Sequence, residues 1–311
     1  MSILFLSNSR IGDSVLGTCI LNYLTTAYPD KSITIVANSL TQSLFKTVPN
    51  LKELKLLEKK RYHRHWVDLV LDYRNQNFDW VIDCRGSLAS YFLKTKKRSV
   101  WKKSSPNSHK VVQLCNWLSI PLTAPKLWLR KGDVEKAKDL FEGEKVLAVA
   151  PFANWIGKQW PYFSEFLRSF EEIYPDYKLL LCCSSQEASF MPDLIKNLSS
   201  ARYHLLTKEE DLLKVAAHLS LCRGFLGNDS GLMHLSACVK TPTIGLFGPS
   251  NDKEYGPFGM QSCENSHKII RTLLSFKDLT LQKGFSFEQR SISYMGDLSV
   301  EAVHEKIKGM L

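Results

Sequence analysis

One stretch of this sequence, residues 227–257, limits the fold more than any other part of the chain. An apolar strand there leads into the polar turn Asn228-Asp229-Ser230-Gly231, and a second one at 243–247 leads into Gly248-Pro249-Ser250, with a short helix between them. A strand, a helix and a second strand in this order predict neighbouring parallel strands. Because a helix N-terminus offers N–H groups and partial positive charge to an anion, the two turns predict a nucleotide diphosphate site.

The same alternation of strand and helix patterns continues along the chain and predicts an α/β protein with parallel sheets covered by helices. The predicted strands are 3–7, 32–37, 80–84, 145–150, 178–183, 224–227 and 243–247. The predicted helices include 14–28, 161–174 and 298–311. A further helix is predicted to follow a capping box of Thr207 and Glu210 and to end at about residue 222. Because the pattern restarts near residue 145, we expect two domains, 1–143 and 144–311, with the terminal helix in the second.

Composition narrows the class of protein further. Hydrophobic residues make up 44% and charged residues 23% of the chain, as in soluble globular proteins. No apolar run approaches the ~20 residues of a membrane span, and the first residues lack the features of a signal peptide. The eight cysteines show no CxxC pair and no metal-ligand spacing. We therefore expect a cytoplasmic protein with reduced thiols and no metal site.

Positive charge is concentrated in the first half of the chain. Residues 1–140 carry 23 Lys and Arg against 11 Asp and Glu, a net charge of +12, whereas residues 141–311 carry 18 against 20, a net charge of −2. The basic clusters lie at 59–64, 94–98 and 102–103. Such a one-sided field attracts an anionic partner, although a solvated surface is the alternative. No nucleic-acid-binding motif accompanies the charge, so we expect no nucleic-acid partner.

Two charged residues beside predicted helix starts are candidates for catalysis. Asp13 follows the first strand, where a carboxylate can take a proton from a hydroxyl nucleophile; a helix-capping acid is the alternative. Lys158 follows the first strand of the second domain, where it can neutralise a phosphate; a surface lysine is the alternative. The first loop lacks the GxGxxG fingerprint of dinucleotide-binding proteins.

Two further residues have both a ligand-binding and a structural interpretation. Glu187 follows the strand at 178–183, where a carboxylate often accepts a ribose hydroxyl, but it is equally suited to the first turn of a helix. His234 lies one helical turn after Ser230, where it can contact a phosphate or hold the loop in place.

These residues together resemble a known family. The run from Asn228 to Ala237, followed by Pro242 and the segment 246–250, closely resembles the signature of the bacterial lipopolysaccharide heptosyltransferases, glycosyltransferase family 9. Gly12-Asp13, the segment 78–88 and the run 158–161 resemble three further motifs of that family in the same order. The resemblance continues to about residue 260.

The resemblance implies a GT-B architecture, in which two Rossmann-like domains have parallel sheets that face an interdomain cleft. It also implies an inverting glycosyltransferase that moves a heptose from ADP-heptose to the inner core of lipopolysaccharide and needs no cofactor. In that scheme the domain 144–311 binds the nucleotide sugar, and the domain 1–143 binds an anionic, lipid-linked glycan acceptor.

Roles for individual residues follow from the same resemblance. Asp13 matches the position of the catalytic base, and Lys158 supports catalysis from the donor side. The implied donor-binding residues are Lys158, Glu187, Asp229, Ser230, Gly231, Leu232 and His234. The resemblance makes the basic domain 1–143 the acceptor-binding domain. Its candidate acceptor-binding residues are Arg10, Lys60, Arg61, Arg64 and Arg85. Its charge also predicts peripheral contact with the inner membrane face.

Departures from the family pattern leave alternatives open. Cys19 stands where the family often has proline, and the segment 150–153 replaces a more usual His-Pro-Gly-Ala or Cys-Pro-Gly-Ala. The alternatives are a GT-B transferase or epimerase that uses another nucleotide sugar, and a non-catalytic protein that binds a nucleotide or a glycan.

Overall fold

A computed structural model describes residues 2–102, 108–207, 211–259, 267–273 and 292–311. Glu210 of the predicted capping box, Lys103 of the basic cluster 102–103, and Cys263, one of the eight cysteines, lie outside these ranges. The chain divides into two compact units, Met1–Trp128 and Leu129–Leu311, which are called unit 1 and unit 2 below.

The described part of unit 1 is a parallel sheet of five strands covered by helices. Its strands are β1 (Ser2–Leu6), β2 (Ser32–Ala37), β3 (Leu51–Leu56), β4 (Asn77–Asp83) and β5 (Lys94–Val100), in the spatial order β3-β2-β1-β4-β5. Its helices are α1 (Ile11–Ala27), α2 (Arg64–Tyr73) and α3 (Lys110–Leu118), with short 3-10 helices at Gln42–Phe45, Arg61–His63 and Ala89–Phe92. The strand order reverses between β1 and β4, and ligands of such sheets bind beyond the carboxyl ends of the strands at that point.

In its described residues, unit 2 repeats this architecture with six parallel strands. They are β6 (Lys145–Ala150), β7 (Tyr177–Cys183), β8 (Tyr203–Thr207), β9 (Gly224–Asn228), β10 (Thr243–Phe247) and β11 (His267–Arg271), in the order β11-β10-β9-β6-β7-β8. The helices are α4 (Lys131–Phe141), α5 (Phe163–Ile173), α6 (Met191–Ile195), α7 (Leu212–Leu219), α8 (Gly231–Cys238), α9 (Asp252–Tyr255) and α10 (Val300–Lys308), with 3-10 helices at Ile156–Lys158, Ala188–Phe190 and Ser200–Arg202. Here the order reverses between β6 and β9.

The prediction of two Rossmann-like parallel-sheet domains is confirmed, but the division lies earlier than the predicted 143/144. Helix α4 belongs to unit 2 because it packs against α7. The Phe141 ring lies 5.9 Å from the His218 ring, and Arg130 forms an ion pair of 3.0 Å with Asp211. These partners are distant in sequence, so the local pattern did not reveal them.

The predicted capping box at Thr207 was also misplaced. Thr207 is the last residue of β8, and helix α7 is capped by Asp211, whose carboxylate accepts the N–H of Leu213 at 2.9 Å. Asp211 is itself a favoured N-cap residue type, so its position in the sequence offered that signal.

Burial explains why the parallel strands were predictable. Helices cover both faces of such sheets, so strands such as Lys145–Ala150 and Thr243–Phe247 are almost continuously apolar and buried. The cysteines of the described residues are free thiols, and all of them except Cys238 are buried. None of the described helices combines the length and the apolar composition that a bilayer crossing requires.

Candidate functional site

Four loops follow the carboxyl ends of β6, β7, β9 and β10, which are consecutive strands in the unit 2 sheet. They carry Lys158, Glu187, the turn from Asn228 to Gly231, and Ser250, respectively. Because the strands are parallel, their carboxyl ends lie at the same edge of the sheet. The structure therefore gathers the predicted donor-binding residues at one edge of unit 2, which we call the donor edge.

Asn228 joins two of these loops. Its side chain is fully buried, its amide oxygen accepts the N–H of Trp160 at 3.0 Å, and its amide nitrogen donates to the carbonyl of Pro151 at 2.8 Å. A buried amide that satisfies both ends in this way fixes the backbone on either side of it. The loop that bears Lys158 is thereby held against the turn after β9.

Lys158 and Asp229 form an ion pair across this junction. The Lys158 Nζ lies 2.6 Å from an Asp229 carboxylate oxygen, and the two side chains are 28% and 8% exposed. Lys158 was predicted to be a phosphate-neutralising or a surface residue; it is partly buried and already bound to a carboxylate. An anion at the donor edge would therefore meet the pair rather than an isolated ammonium group.

Helix α8 begins directly after Asp229, with Ser230 in extended conformation at its N-cap. The Ser230 side chain makes no capping hydrogen bond, and within the described ranges its buried hydroxyl oxygen has no partner. The Ser250 hydroxyl, after β10, is likewise buried without a partner there. Buried polar groups are normally hydrogen-bonded, so two such hydroxyls on neighbouring loops indicate a place for a polar ligand.

Gly231, Leu232 and His234 lie on α8 itself. Gly231 and Leu232 are its first two residues, so their N–H groups are among those that a helix cannot bond internally. His234 is buried in the next turn. The geometry thus supports an anion-binding role for the first two residues more directly than for His234.

Glu187 forms a capping box with Ser184. A carboxylate oxygen of Glu187 accepts the Ser184 N–H at 2.7 Å, and the Ser184 hydroxyl accepts the Glu187 N–H at 3.2 Å. The structure therefore shows Glu187 in the structural role predicted for it, as an acid in the first turn of a helix. Only one oxygen of Glu187 takes part in this hydrogen bond, so the carboxylate retains acceptor capacity for a hydroxyl group.

An aromatic pair beside Glu187 was not predicted from the sequence. Phe152 follows β6 and Phe190 follows β7, and their ring centroids lie 6.5 Å apart. The Phe190 N–H bonds to the carbonyl of Glu187, and its ring is largely exposed. Aromatic rings next to a candidate ribose contact suit a nucleobase. The sequence did offer a signal for this pair, because Phe152 stands where the usual family segment has glycine.

The corresponding edge of unit 1 contains Asp13 and Arg85. Asp13 is the third residue of α1, directly after β1, and Arg85 follows β4, the neighbouring strand. Burial, with the negative charges of Asp83 and Asp13, raises the pKa of the Cys84 thiol at the end of β4. The two predicted residues therefore lie at the strand-order reversal of unit 1.

Contacts with unit 1 fix the Arg85 side chain but leave part of its guanidinium group able to bind a ligand. Its Nε donates to the carbonyl of Ser7 at 2.6 Å, and its guanidinium carbon lies 5.7 Å from the Trp66 ring centre. Its buried Nη2 has no hydrogen-bond partner within the described ranges. Burial lowers the pKa of the guanidinium group, an effect that the nearby Asp83 and Glu58 carboxylates oppose. A charged, positioned donor of this kind suits a carboxylate or a phosphate.

The turn that carries Arg85 is built around Asp83. This fully buried carboxylate accepts the N–H of Arg85 at 2.8 Å, and both the N–H and the hydroxyl of Ser87, at 2.9 and 2.6 Å. Gly86 lies in the left-handed region with φ of 67°, and a Cβ atom there would lie 2.8 Å from the Trp101 carbonyl oxygen. The turn therefore requires glycine at this position.

Gly86→Ala is expected to lower the free energy of unfolding by about 1–3 kcal/mol, because the left-handed conformation and the contact with Trp101 both disfavour a Cβ atom. Chemical denaturation measures this change. Gly132→Ala is the control, since the residue is helical and, apart from the adjoining helix backbone and chain neighbours, none of the described residues lies within 4 Å of a Cβ atom there. That variant should gain up to about 1 kcal/mol. Equal stability of the two variants would contradict the proposed requirement.

The other predicted acceptor residues lie on exposed loops of unit 1. Arg10 is exposed and forms the N-cap of α1, whereas Lys60 forms an ion pair of 2.7 Å with Asp68. Arg61 and Arg64 are exposed, the first in the 3-10 helix Arg61–His63 and the second at the start of α2. Between them, Tyr62 and His63 both have left-handed backbone angles, with φ of 53° and 56°. Such strain in two consecutive non-glycine residues is often found at functional loops.

Throughout the residues that the structure describes, no group of three or more His, Cys, Asp or Glu side chains is arranged to hold a metal ion.

Comparison with known proteins identifies the family. The model of glycosyltransferase family 9 (heptosyltransferase) matches residues 107–281, which is more than half of the chain. The lipopolysaccharide heptosyltransferase 2 of Salmonella typhimurium is 23% identical over 360 aligned positions, which cover 100% of this chain and 99% of the relative.

Solved structures show the same fold. The family 9 glycosyl transferase of Veillonella parvula superposes with a TM-score of 0.80 at 18% identity, covering 99% of this chain and 96% of that one. The Escherichia coli ADP-heptose lipopolysaccharide heptosyltransferase II superposes with a TM-score of 0.74 at 19% identity, covering 100% and 98%. With two Rossmann-like domains of GT-B type and the family's motifs in order, the chain belongs to glycosyltransferase family 9, the heptosyltransferase family.

Proposed function

We propose that this glycosyltransferase moves a heptose from ADP-heptose to the inner core of lipopolysaccharide, with inversion at the anomeric carbon. The observation that carries the proposal is the donor edge of unit 2, where the N-terminus of α8, the buried Ser230 hydroxyl, which has no partner among the described residues, and Lys158 meet. The full-length similarity to a protein named lipopolysaccharide heptosyltransferase 2 supports the choice of sugar and acceptor.

In this proposal the donor edge holds the nucleotide diphosphate. The N–H groups of Gly231 and Leu232 and the Ser230 hydroxyl donate to phosphate oxygens, and Lys158 balances the charge that develops as ADP leaves. Glu187 accepts a ribose hydroxyl with its remaining oxygen, and the rings of Phe152 and Phe190 contact the adenine. Asp229 keeps the Lys158 ammonium group in place, and the buried His234 side chain stabilises α8.

Unit 1 supplies the acceptor-binding groups and the base. Asp13 removes the proton from the acceptor hydroxyl as that oxygen attacks the anomeric carbon, and the bond to the β-phosphate breaks. Inner-core acceptors carry carboxylates and phosphates, which Arg85 and the exposed Arg10, Lys60, Arg61 and Arg64 attract. Because that acceptor is lipid-linked, we expect peripheral contact with the inner membrane face.

A donor panel tests this function. ADP-heptose is compared with ADP-, UDP- and GDP-hexoses, using thermal shift for binding and product analysis for transfer. We expect ADP-heptose alone to give both a stabilising shift and a transferred sugar. Efficient transfer from a UDP- or GDP-sugar would favour the other GT-B transferases, and binding without transfer to any inner-core acceptor would favour a non-catalytic protein.

Arg85→Gln is expected to raise the acceptor KM by about 10- to 100-fold, because a charge-assisted hydrogen bond contributes about 1.5–3 kcal/mol. The affinity for ADP should not change, since Arg85 belongs to unit 1. Lys52→Gln removes the same charge from an exposed position at the amino end of β3 and should leave both constants unchanged. Equal acceptor KM values in the two variants would remove Arg85 from the acceptor site.

A further inference from the structure

One outer surface of unit 1 combines exposed apolar side chains with basic ones. It is formed by α2, the 3-10 helix Ala89–Phe92 with the preceding Leu88, and β5, and we call it the basic–apolar face. Its exposed large apolar side chains are Val67, Leu71, Leu88, Tyr91 and Phe92. Leu88 and Phe92 are 77% and 70% exposed. Scattered exposed apolar residues are ordinary, but a group on adjoining elements indicates an interaction surface.

Side-chain contacts hold these elements together as one surface. The 3-10 helix Ala89–Phe92 packs against both α2 and β5. Arg98 of β5 donates from Nε to the Ser90 carbonyl at 2.9 Å and from Nη2 to the Leu93 carbonyl at 2.7 Å. Its guanidinium carbon lies 5.5 Å from the centre of the Tyr91 ring. The exposed rings therefore project from a segment that is fastened to the sheet.

Positive charge surrounds the apolar side chains. Residues 59–98 carry ten Lys and Arg against four Asp and Glu. Of those four acids, Asp83 is buried, and Asp68, Asp72 and Asp79 are each paired with a lysine. Across the described part of the chain, by contrast, no ion pair engages Arg64, Arg74 or Lys94. A groove of about 860 Å³ lies at the amino ends of β1, β4 and β5, and its lining includes Lys94, Lys96 and Arg98 together with Asp79.

We propose that the basic–apolar face docks unit 1 on an anionic phospholipid bilayer. Leucine and aromatic side chains enter the headgroup boundary, and the surrounding lysines and arginines meet lipid phosphates. Charge complementarity selects this occupant, because the face offers apolar contact and unpaired cations together. Leu88 lies three residues after Arg85, so docking keeps the acceptor site close to the bilayer surface. This step rests on the proposed function, in which the acceptor is lipid-linked.

Vesicle binding tests the proposal. The full-length protein is sedimented with vesicles of phosphatidylcholine alone and with vesicles in which about one third of the lipid is phosphatidylglycerol. We expect binding to the anionic vesicles only, weakened by added salt. The double variant L88D/F92D should bind them at least about tenfold more weakly. The control L122D/I173D introduces the same two charges at exposed apolar residues of unit 1 and unit 2, and it should bind like the wild type.

The proposal would be overturned if L88D/F92D and the wild type bound anionic vesicles equally well, or if the wild type did not bind them. A wild type that instead forms dimers, which L88D/F92D dissociates, would assign the face to a second copy of the chain. Heptose transfer to a delipidated inner-core acceptor is measured in parallel. L88D/F92D should keep this activity, because the delipidated acceptor does not require membrane docking. If the proposed function were wrong, the wild type itself would transfer no heptose. The two failures are therefore distinguishable.

Discussion

Asp13→Asn is expected to lower kcat for heptose transfer by about 10²–10⁴-fold, the range that a general base contributes. The asparagine amide cannot take the proton of the acceptor hydroxyl, but it has nearly the same shape and keeps an oxygen that can accept a hydrogen bond in the first turn of α1. The affinity for ADP should stay within about twofold of the wild-type value, because Asp13 lies in unit 1 and the donor edge lies in unit 2. Single-turnover kinetics and calorimetric titration with ADP measure the two quantities.

Asp133→Asn separates the base role from the helix-capping role. Asp133 is the third residue of α4, as Asp13 is the third residue of α1, and both are acids in a first helical turn. Loss of the interaction with the helix dipole should cost the Asp13 variant about 0.3–1 kcal/mol of stability. The Asp133 variant should lose more stability, because the Asp133 carboxylate is buried and also accepts a hydrogen bond of 2.5 Å from Arg130 Nε. Only the Asp13 variant should lose turnover. If Asp13→Asn turned over at a near-normal rate and lost only stability, the carboxylate would be a helix cap and the base would lie elsewhere.

The buried parts of the fold were predictable from the sequence, whereas the exposed edges were not. The predicted strands at 32–37, 145–150 and 243–247 have the observed bounds, because buried parallel strands are continuous apolar runs. Strand β5 was missed because four of its seven residues are Lys or Arg. It is an edge strand, and exposed lysines there protect the edge from pairing with another chain.

The candidate site was predictable as a set of positions but not as a set of contacts. The turn after β9 and the loop with Lys158 were found from residue types that suit helix starts. The ion pair between Lys158 and Asp229 joins residues 71 positions apart, and the contact of Arg85 with Ser7 depends on β1 and β4 being neighbours. Local patterns contain no information on such pairs. The capping box of Ser184 and Glu187, by contrast, has a local signature in the sequence.

The ion pair at the donor edge leads to the second large effect. Lys158→Ala is expected to lower kcat by about 10²–10³-fold, the usual loss when one group that stabilises developing charge is removed. It should also weaken ADP binding by about 10- to 100-fold, for two reasons. The ammonium group is lost, and the Asp229 carboxylate, which is only 8% exposed, is left unpaired beside the N-terminus of α8. That carboxylate would then repel the phosphates and compete with them for the N–H groups of the helix.

A double-variant cycle tests this explanation by calorimetric titration with ADP. Asp229→Asn added to Lys158→Ala removes the unpaired negative charge, so the double variant should bind ADP about tenfold more tightly than Lys158→Ala alone. The control is Lys178→Ala, which breaks the partly buried pair of Lys178 with Glu144 in the same unit and should leave ADP affinity unchanged. If the double variant bound no more tightly than Lys158→Ala, the Asp229 charge would have no effect on the nucleotide. If Lys158→Ala bound ADP normally and turned over normally, the pair would only support the loops, and the charge on departing ADP would be balanced by α8 alone.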